Sequence, residues 1–323
     1  MPLRSGFTFS PGLPPVPIYL PIAELPVNIF LILGLGIAVG FISGMFGIGG
    51  GFLMTPLLIL VGIPPAVAVA SVPSHMAASS FSGAFSYWRK RFVDYGLGLV
   101  LLSGALLGTA SGVWLFAALR RAGQLELFIS LAYIVLLSIV GVLMTAESIR
   151  AIIRAWRGTP PMPRRPGTHA WFHGLPLKLR FRQSRIYVSA IPVIVIGFIT
   201  GFIGAMMGVG GGFLLIPALI YLMRVPTTVS IGTSLFLTLM TMLVATVLHA
   251  VENRTVDAVL AMVLMVGGVF GAQFGARAGQ AIRAEQLRLL LGIMVIAVGL
   301  RVAAGLINTP VEFFSVVPKD VWQ

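Results

Sequence analysis

Between Glu24 and Arg89 the chain carries no Asp, Glu, Lys or Arg, and a second charge-free run separates Arg185 from Arg224. These runs decide the solvent. Only 10% of all residues are charged and 58% are apolar, where a soluble domain carries about 25% charged residues. A water-soluble fold cannot hide so much uncharged surface, so the chain reads as an integral membrane protein. A spanning helix needs about 20 mostly apolar residues. The alternation of barrel strands is absent, so the spans are helices.

There is no cysteine, which excludes disulfides and thiolate metal sites. The N-terminal stretch "MPLRSGFTFSPGLPPVPIYLPIAELPVN" is proline-rich and lacks a short apolar core with a cleavage site, so a cleaved signal peptide is not expected. The net charge of +13 raises the question of nucleic acid. Nine of the basic residues, however, lie in one stretch at 145–185: Arg150, Arg154, Arg157, Arg164, Arg165, Lys178, Arg180, Arg182 and Arg185, opposed only by Glu147. A basic loop between apolar spans marks the cytoplasmic side. No nucleic-acid recognition fold is visible, and no nucleic-acid partner is expected.

The chain repeats itself. "GFISGMFGIGGGFLMTP" at 40–56 matches "GFIGAMMGVGGGFLLIP" at 201–217 in 11 of 17 positions, at an offset of 161. "AVASV" (68–72) then aligns with "SIGTS" (230–234), and "RFVD" (91–94) with "RTVD" (254–257). Gly104, Gly108 and Gly112 align with Gly267, Gly271 and Gly275. The expected organisation is an N-terminal segment at 1–26, a first membrane repeat at 27–147, a basic cytoplasmic loop at 148–185, a second repeat at 186–307 and a tail at 308–323. Each repeat holds five apolar segments, at about 27–46, 52–62, 65–87, 95–119 and 125–146, then at about 186–206, 213–223, 227–250, 258–280 and 288–307. The second of each set is too short to cross a bilayer alone. If all ten segments cross, 16 of the 22 basic residues fall on the cytoplasmic side, with Arg120 and Arg121 the main exceptions. Five crossings per half give the halves opposite orientation. The expected fold is therefore an all-α polytopic membrane protein, an inverted repeat with short glycine-interrupted helices, and both termini outside.

The glycine turns, "GIGGGF" and "GVGGGF", lack the Gly-Lys-Ser/Thr of a phosphate loop and sit among membrane helices rather than in a βαβ unit. Two readings stay open. In one the glycines let helices pack closely. In the other, Gly47, Gly49, Gly50 and Gly51, with Gly208, Gly210, Gly211 and Gly212, form unwound backbone whose free N–H groups, with the starts of the short helices, face an anion. Irregular backbone at membrane depth survives only where it lines a cavity or is buried in protein. Short, glycine-interrupted segments at matching places in two halves point to a transporter site. The repeat makes Gly50 and Gly211 equivalent, so alanine at either is expected to weaken anion binding alike.

Together these motifs resemble the TauE/SafE-type sulfite exporter family: paired GxGGG-F-L-x-x-P turns, "SIGTS" after the second, "VD" before the fourth helix of each half, and the GxxxGxxxG helix. The resemblance runs from about 27 to 307. It implies a polytopic permease for sulfite, sulfonates or related small anions in the bacterial inner membrane. In the first half "ASVPSHM" stands where many relatives read more like the Thr-Ser of the second.

The third segment of the first half carries Ser71, Ser74, His75, Ser79 and Ser82 at helical spacing, and its counterpart carries Thr233, Ser234, Thr238, Thr241 and His249. Their hydroxyls either bond back to their own helix or, for Ser71, Ser74, Thr233 and Ser234, donate to an anion's oxygens. His75 is the only side chain in its charge-free run that titrates near neutral pH. It is either a neutral structural histidine or a residue lining the permeation path. The GxxxGxxxG runs read as packing seams. Arg150, Arg154 and Arg157, with Ile153 and Trp156, suggest a basic helix reaching the surface of anionic lipid.

Glu126, Asp94, Asp257 and Glu147 sit at segment ends rather than in helix centres. An anion leaving an inside-negative cell gains about 2.3 kcal/mol per charge per 100 mV, so its export needs no coupling ion. The reading is a secondary transporter, expected to be an exporter, with a small anionic substrate and membrane lipid as partners and no cofactor. The sequence fixes no oligomeric state. A passive anion channel and an uptake permease for a small organic acid are the alternatives. An intramembrane enzyme is not expected, because there is no Cys, no HExxH and no paired internal carboxylate.

Overall fold

The structure, a computed structural model, describes residues 17–46, 48–89, 91–156, 177–181, 183–184, 186–223, 225–279, 296–297 and 299–300. The tenth apolar segment, 288–307, lies almost entirely outside the described residues.

Nine α-helices are assigned in full among the described residues: α1 (Ile29–Phe46), α2 (Gly51–Leu60), α3 (Pro65–Arg89), α4 (Tyr95–Arg121), α5 (Leu125–Trp156), α6 (Ala190–Met207), α7 (Gly211–Pro217), α8 (Thr227–Leu248) and α9 (Ala258–Gly279). α7 and α8 each run on into a π-helical turn, Ala218–Leu222 and His249–Asn253. Among the described residues, five helical stretches are long and apolar enough to cross a membrane: Ile29–Phe46, Tyr95–Arg121, Ala190–Met207, Thr227–Asn253 and Ala258–Ala278. α2, at 10 residues, is about 15 Å long, half the apolar thickness of a bilayer.

The fold is all-α in its membrane body, as expected, with two small hairpins of four-residue strands added beside the helices. β1 (Pro17–Leu20) pairs antiparallel with β2 (Leu25–Asn28), and β3 (Lys178–Phe181) with β4 (Ile186–Ser189). Neither closes a sheet. Each ends on a helix cap: Asn28 Oδ1 accepts from Phe30 N at 2.9 Å, and Ser189 Oγ accepts from Ile191 N at 3.3 Å. The first and sixth segments therefore start their helices two to four residues later than the apolar runs suggested. α5 continues to Trp156, so the expected boundary at 147/148 falls inside a helix.

Packing is exchanged between the two stretches of chain. α1 lies along α9, α4 lies along α6, and α3 and α8 meet in the middle. Both long contacts are glycine seams. A Cβ at Gly40 would stand 2.5 Å from Gly268 O, and one at Gly112 2.6 Å from Phe202 O. Gly104 and Gly108 press on the backbone of Ile194 and Phe198, as Gly271 and Gly275 press on Ile37 and Phe41. The outer faces carry the bulk: on α4, Leu99, Leu107 and Trp114 are exposed, and on α9, Phe270 and Phe274. Glycine inside with large apolar side chains outside suits a helix bathed in lipid, where close backbone packing drives association.

Gly108→Ala is expected to lower stability by about 1–3 kcal/mol, as overpacking does, because its Cβ would strike Phe198 O and come within 2.8 Å of Phe202 N. A lower melting temperature in detergent with anion affinity little changed would show this.

Candidate functional site

The two glycine turns meet at the centre of the fold. α1 ends at Phe46 and α2 begins at Gly51; α6 ends at Met207 and α7 begins at Gly211. Between them the backbone turns through positive φ, 91° at Gly49 and 75° at Gly50, then 66° at Gly208 and 79° at Gly210. Only glycine visits this region without strain.

The turns are seated in one another. A Cβ at Gly51 would stand 2.5 Å from Gly208 O, and one at Gly212 2.6 Å from Ile48 O. Just beyond, Phe52 and Phe213 stack with centroids 4.5 Å apart and planes 9° from parallel. Thr55 Oγ1 donates to Gly208 O at 3.3 Å, and Tyr133 from α5 donates its hydroxyl to Met207 O at 2.6 Å. Every described residue of the two turns is buried.

α3 and α8 wall this crossing. The Met76 side chain reaches Gly49, Gly51 and Gly210. Thr238 Cγ2 lies 3.1 Å, and Ser80 Oγ 3.7 Å, from where a Gly49 Cβ would be; Thr238 Oγ1 lies 3.1 Å from the corresponding point at Gly212. Ser80 Oγ and Thr238 Oγ1 are both buried without a hydrogen-bond partner. An unpaired buried polar group costs about 1–3 kcal/mol. Two at one place are donors with no acceptor among the described residues.

The sequence-derived residues divide. Gly49, Gly50, Gly51, Gly208, Gly210, Gly211 and Gly212 come together at the crossing, while Gly47 lies outside the described residues. Gly50 and Gly211 are not alike. Gly50 has positive φ, whereas Gly211 opens α7, and the nearest atom to a Cβ there is Thr200 Cβ at 3.8 Å. The expected equal response to alanine is corrected on that ground, and the pair sharing positive φ is Gly49 and Gly210.

Ser74 Oγ donates to Ser71 O at 2.6 Å and Ser234 Oγ to Ile231 O at 2.9 Å, so both protons are spent on their own helices. Ser71 Oγ accepts from Asp257 N at 3.0 Å, and Thr233 Oγ1 accepts from Asp94 N at 3.1 Å. These two hydroxyls hold the starts of α9 and α4. His75 Nδ1 contacts Leu264 O at 2.7 Å, so Nδ1 carries the proton; Nε2 is buried with no partner, and the ring lies against Gly268 of α9. His249 is bonded through both nitrogens, to Ala205 O and to Asn253 Nδ2.

Asp94 and Asp257 have a part that their segment-end positions did not reveal. Asp94 Oδ2 accepts from Ser184 N at 2.9 Å and Ser184 Oγ at 2.7 Å, in the turn between β3 and β4, while its Oδ1 caps α4 at Leu97 N. Asp257 Oδ2 accepts from Ile22 N at 2.9 Å and Ala23 N at 3.4 Å, in the turn between β1 and β2, while its Oδ1 caps α9 at Val259 N and Leu260 N. Each aspartate binds the other stretch's hairpin to its own helix. Among the described residues no group of His, Asp or Glu is placed to hold a metal ion.

The family model described as "Sulfite exporter TauE/SafE" matches residues 32–302. The chain belongs to the TauE/SafE family. A "Probable membrane transporter protein" of Xylella fastidiosa (strain 9a5c) is 30% identical over 286 residues, covering 85% of this chain and 95% of that protein. "Probable membrane transporter protein YunE" of Bacillus subtilis is 24% identical over 281 residues, covering 84% and 96%. "Sulfite exporter TauE/SafE family protein 3" of Arabidopsis thaliana is 39% identical over 113 residues, 33% of this chain and 24% of that protein. No solved structure matches. This TauE/SafE chain is thus a multi-pass membrane transporter protein, and the names of its family and relatives point to transport rather than catalysis.

Proposed function

We propose that the chain is a secondary carrier exporting a small anion, such as sulfite, a sulfonate or a related organic anion, across a bacterial inner membrane. One observation carries the reading: two positive-φ glycine turns cross at the buried centre, beside two hydroxyls, Ser80 and Thr238, that have no partner among the described residues. An oxyanion entering the crossing would accept from both hydroxyls and approach backbone N–H groups unshielded by any Cβ. The name of the matching family supplies the substrate class.

The exchanged packing, α1 on α9 and α6 on α4, supports two inverted halves whose shared site opens to either side as one rocks against the other. In this arrangement 145–185 is cytoplasmic and both termini are outside.

Ser80→Ala and Thr238→Val test the site. Hydrogen bonds to a charged group are worth about 1.5–3 kcal/mol, so each variant is expected to lose about tenfold or more in anion affinity. Neither should lower stability, since each removes an unsatisfied polar atom. The measurements are sulfite flux in proteoliposomes and substrate-induced thermal stabilisation, which tracks ligand concentration over Kd. Parental flux and parental stabilisation in both variants would place the site elsewhere.

A further inference from the structure

A hollow of about 320 Å³ opens where α3 ends and α4 begins, lined by Trp88, Arg89, Arg91, Val93, Tyr95 and Gln183. We propose that it binds the phosphate of an anionic phospholipid, and that this lipid braces the β3–β4 hairpin against the membrane spans.

Charge comes first. Arg89 and Arg91 are both exposed, and among the described residues neither is paired with a carboxylate; the ion pair found there joins Arg121 and Glu252. The carboxylate adjoining this hollow in sequence is Asp94, whose oxygens are taken by Ser184 and Leu97. Two guanidinium groups therefore share a concave site with no counter-ion among the described residues, a setting suited to a phosphate.

The surroundings select a lipid over a free anion. Phe85, Trp88, Phe92 and Tyr95 are all exposed around the hollow. Arg89 stands over the Phe85 ring, 5.7 Å from its centroid, and Phe85 meets Trp88 edge-on at 5.9 Å. Exposed Trp and Tyr beside Arg, at the start of a span such as α4, make a membrane-interface belt. The exposed apolar side chains continue along α4 through Leu99, Leu106 and Leu107, a track for an acyl chain below a phosphate held by Arg89 and Arg91. A soluble anion would gain nothing from that track.

The site also reaches the hairpin. Gln183 Nε2 donates to Arg91 O at 3.3 Å, and the next residue, Ser184, holds Asp94. A bound headgroup would touch α3, α4 and the β3–β4 turn at once.

The test is native mass spectrometry of the full chain in neutral detergent with phosphatidylglycerol or phosphatidylcholine added. The parent is expected to retain phosphatidylglycerol preferentially. Arg89→Gln and Arg91→Gln should each weaken retention about fivefold, and the double variant more. Arg277→Gln, an exposed arginine at the far end of α9, should change nothing. Because the substituted side chains are exposed, lipid-free melting temperatures should match the parent, and the single variants keep the test valid if the double variant folds poorly. Parental retention in both single variants overturns the proposal. So does displacement of phosphatidylglycerol by an equal concentration of soluble glycerol phosphate, which would make the hollow a free-phosphate site.

Discussion

Gly210→Ala is expected to abolish anion flux and lower the melting temperature sharply, while Gly211→Ala next to it leaves both close to the parent. Gly210 has φ 79° and ψ 139°, a region closed to residues with a Cβ; holding one there costs about 1–3 kcal/mol. The Cβ would also strike Met76 Cε and lie 2.9 Å from Met76 Sδ. Met76 ends in a flexible thioether that can give, so the larger cost is the backbone strain at positive φ. The same side chain also packs on Gly49 and Gly51, so its displacement is felt at both turns. Gly211 has helical backbone, a Cβ there would only touch Thr200 at ordinary van der Waals distance, 3.8 Å, and alanine is a better helix former than glycine. The two variants differ only in which of two adjacent glycines carries the added methyl group, so composition and hydropathy are the same in both. Proteoliposome flux and thermal melting of both variants decide the matter. Equal losses at 210 and 211 would mean that the geometry of the turn is not what transport needs.

The contrast also marks where the sequence stops being informative. The charge-free runs, the glycine turns and the GxxxGxxxG seams were legible because each follows from local composition and spacing. The hairpins were not. β4, "IYVS", joins α6 in one apolar run, and nothing in hydropathy separates four strand residues from the helix that follows. Ser189 as a helix cap was the one available signal. Ser80 lies off the line of Ser71, Ser74, His75 and Ser79, so the spacing that found those residues passed over it. That line proved to be largely the hydroxyls that face their own helix or a neighbouring backbone. An orphaned hydroxyl is defined by what surrounds it, and Ser80 and Thr238 lie beside glycines of turns far away in the sequence. The aligned motif also led to Gly50 and Gly211 as partners, because an alignment pairs letters, whereas the turns place their positive φ at slightly different letters.

The "VD" landmarks carry the second large effect. Asp94→Ala and Asp257→Ala are each expected to destabilise the chain by several kcal/mol, the most severe of the single side-chain removals considered. Removing the Asp94 carboxylate leaves Ser184 N, Ser184 Oγ and Leu97 N without their acceptor. Removing that of Asp257 strands the buried Ala23 N and Leu260 N and the part-buried Ile22 N and Val259 N. Each orphaned buried donor costs about 1–3 kcal/mol, and the lost helix cap is included in that sum. Asparagine keeps one acceptor oxygen but turns an amide N–H₂ toward N–H donors, so Asp94→Asn and Asp257→Asn should fall between parent and alanine. Ser71→Ala and Thr233→Val each withdraw one acceptor from an aspartate N–H and should cost less than either. Location distinguishes a local latch from general unfolding. Asp94→Ala should expose the β3–β4 hairpin, where Arg180 is already on the surface, to trypsin at temperatures at which the parent and Asp257→Ala resist. If Asp257→Ala opens that hairpin equally, the aspartates act through global stability; if neither variant melts earlier, the two hairpins are ornaments on the helices rather than braces between them.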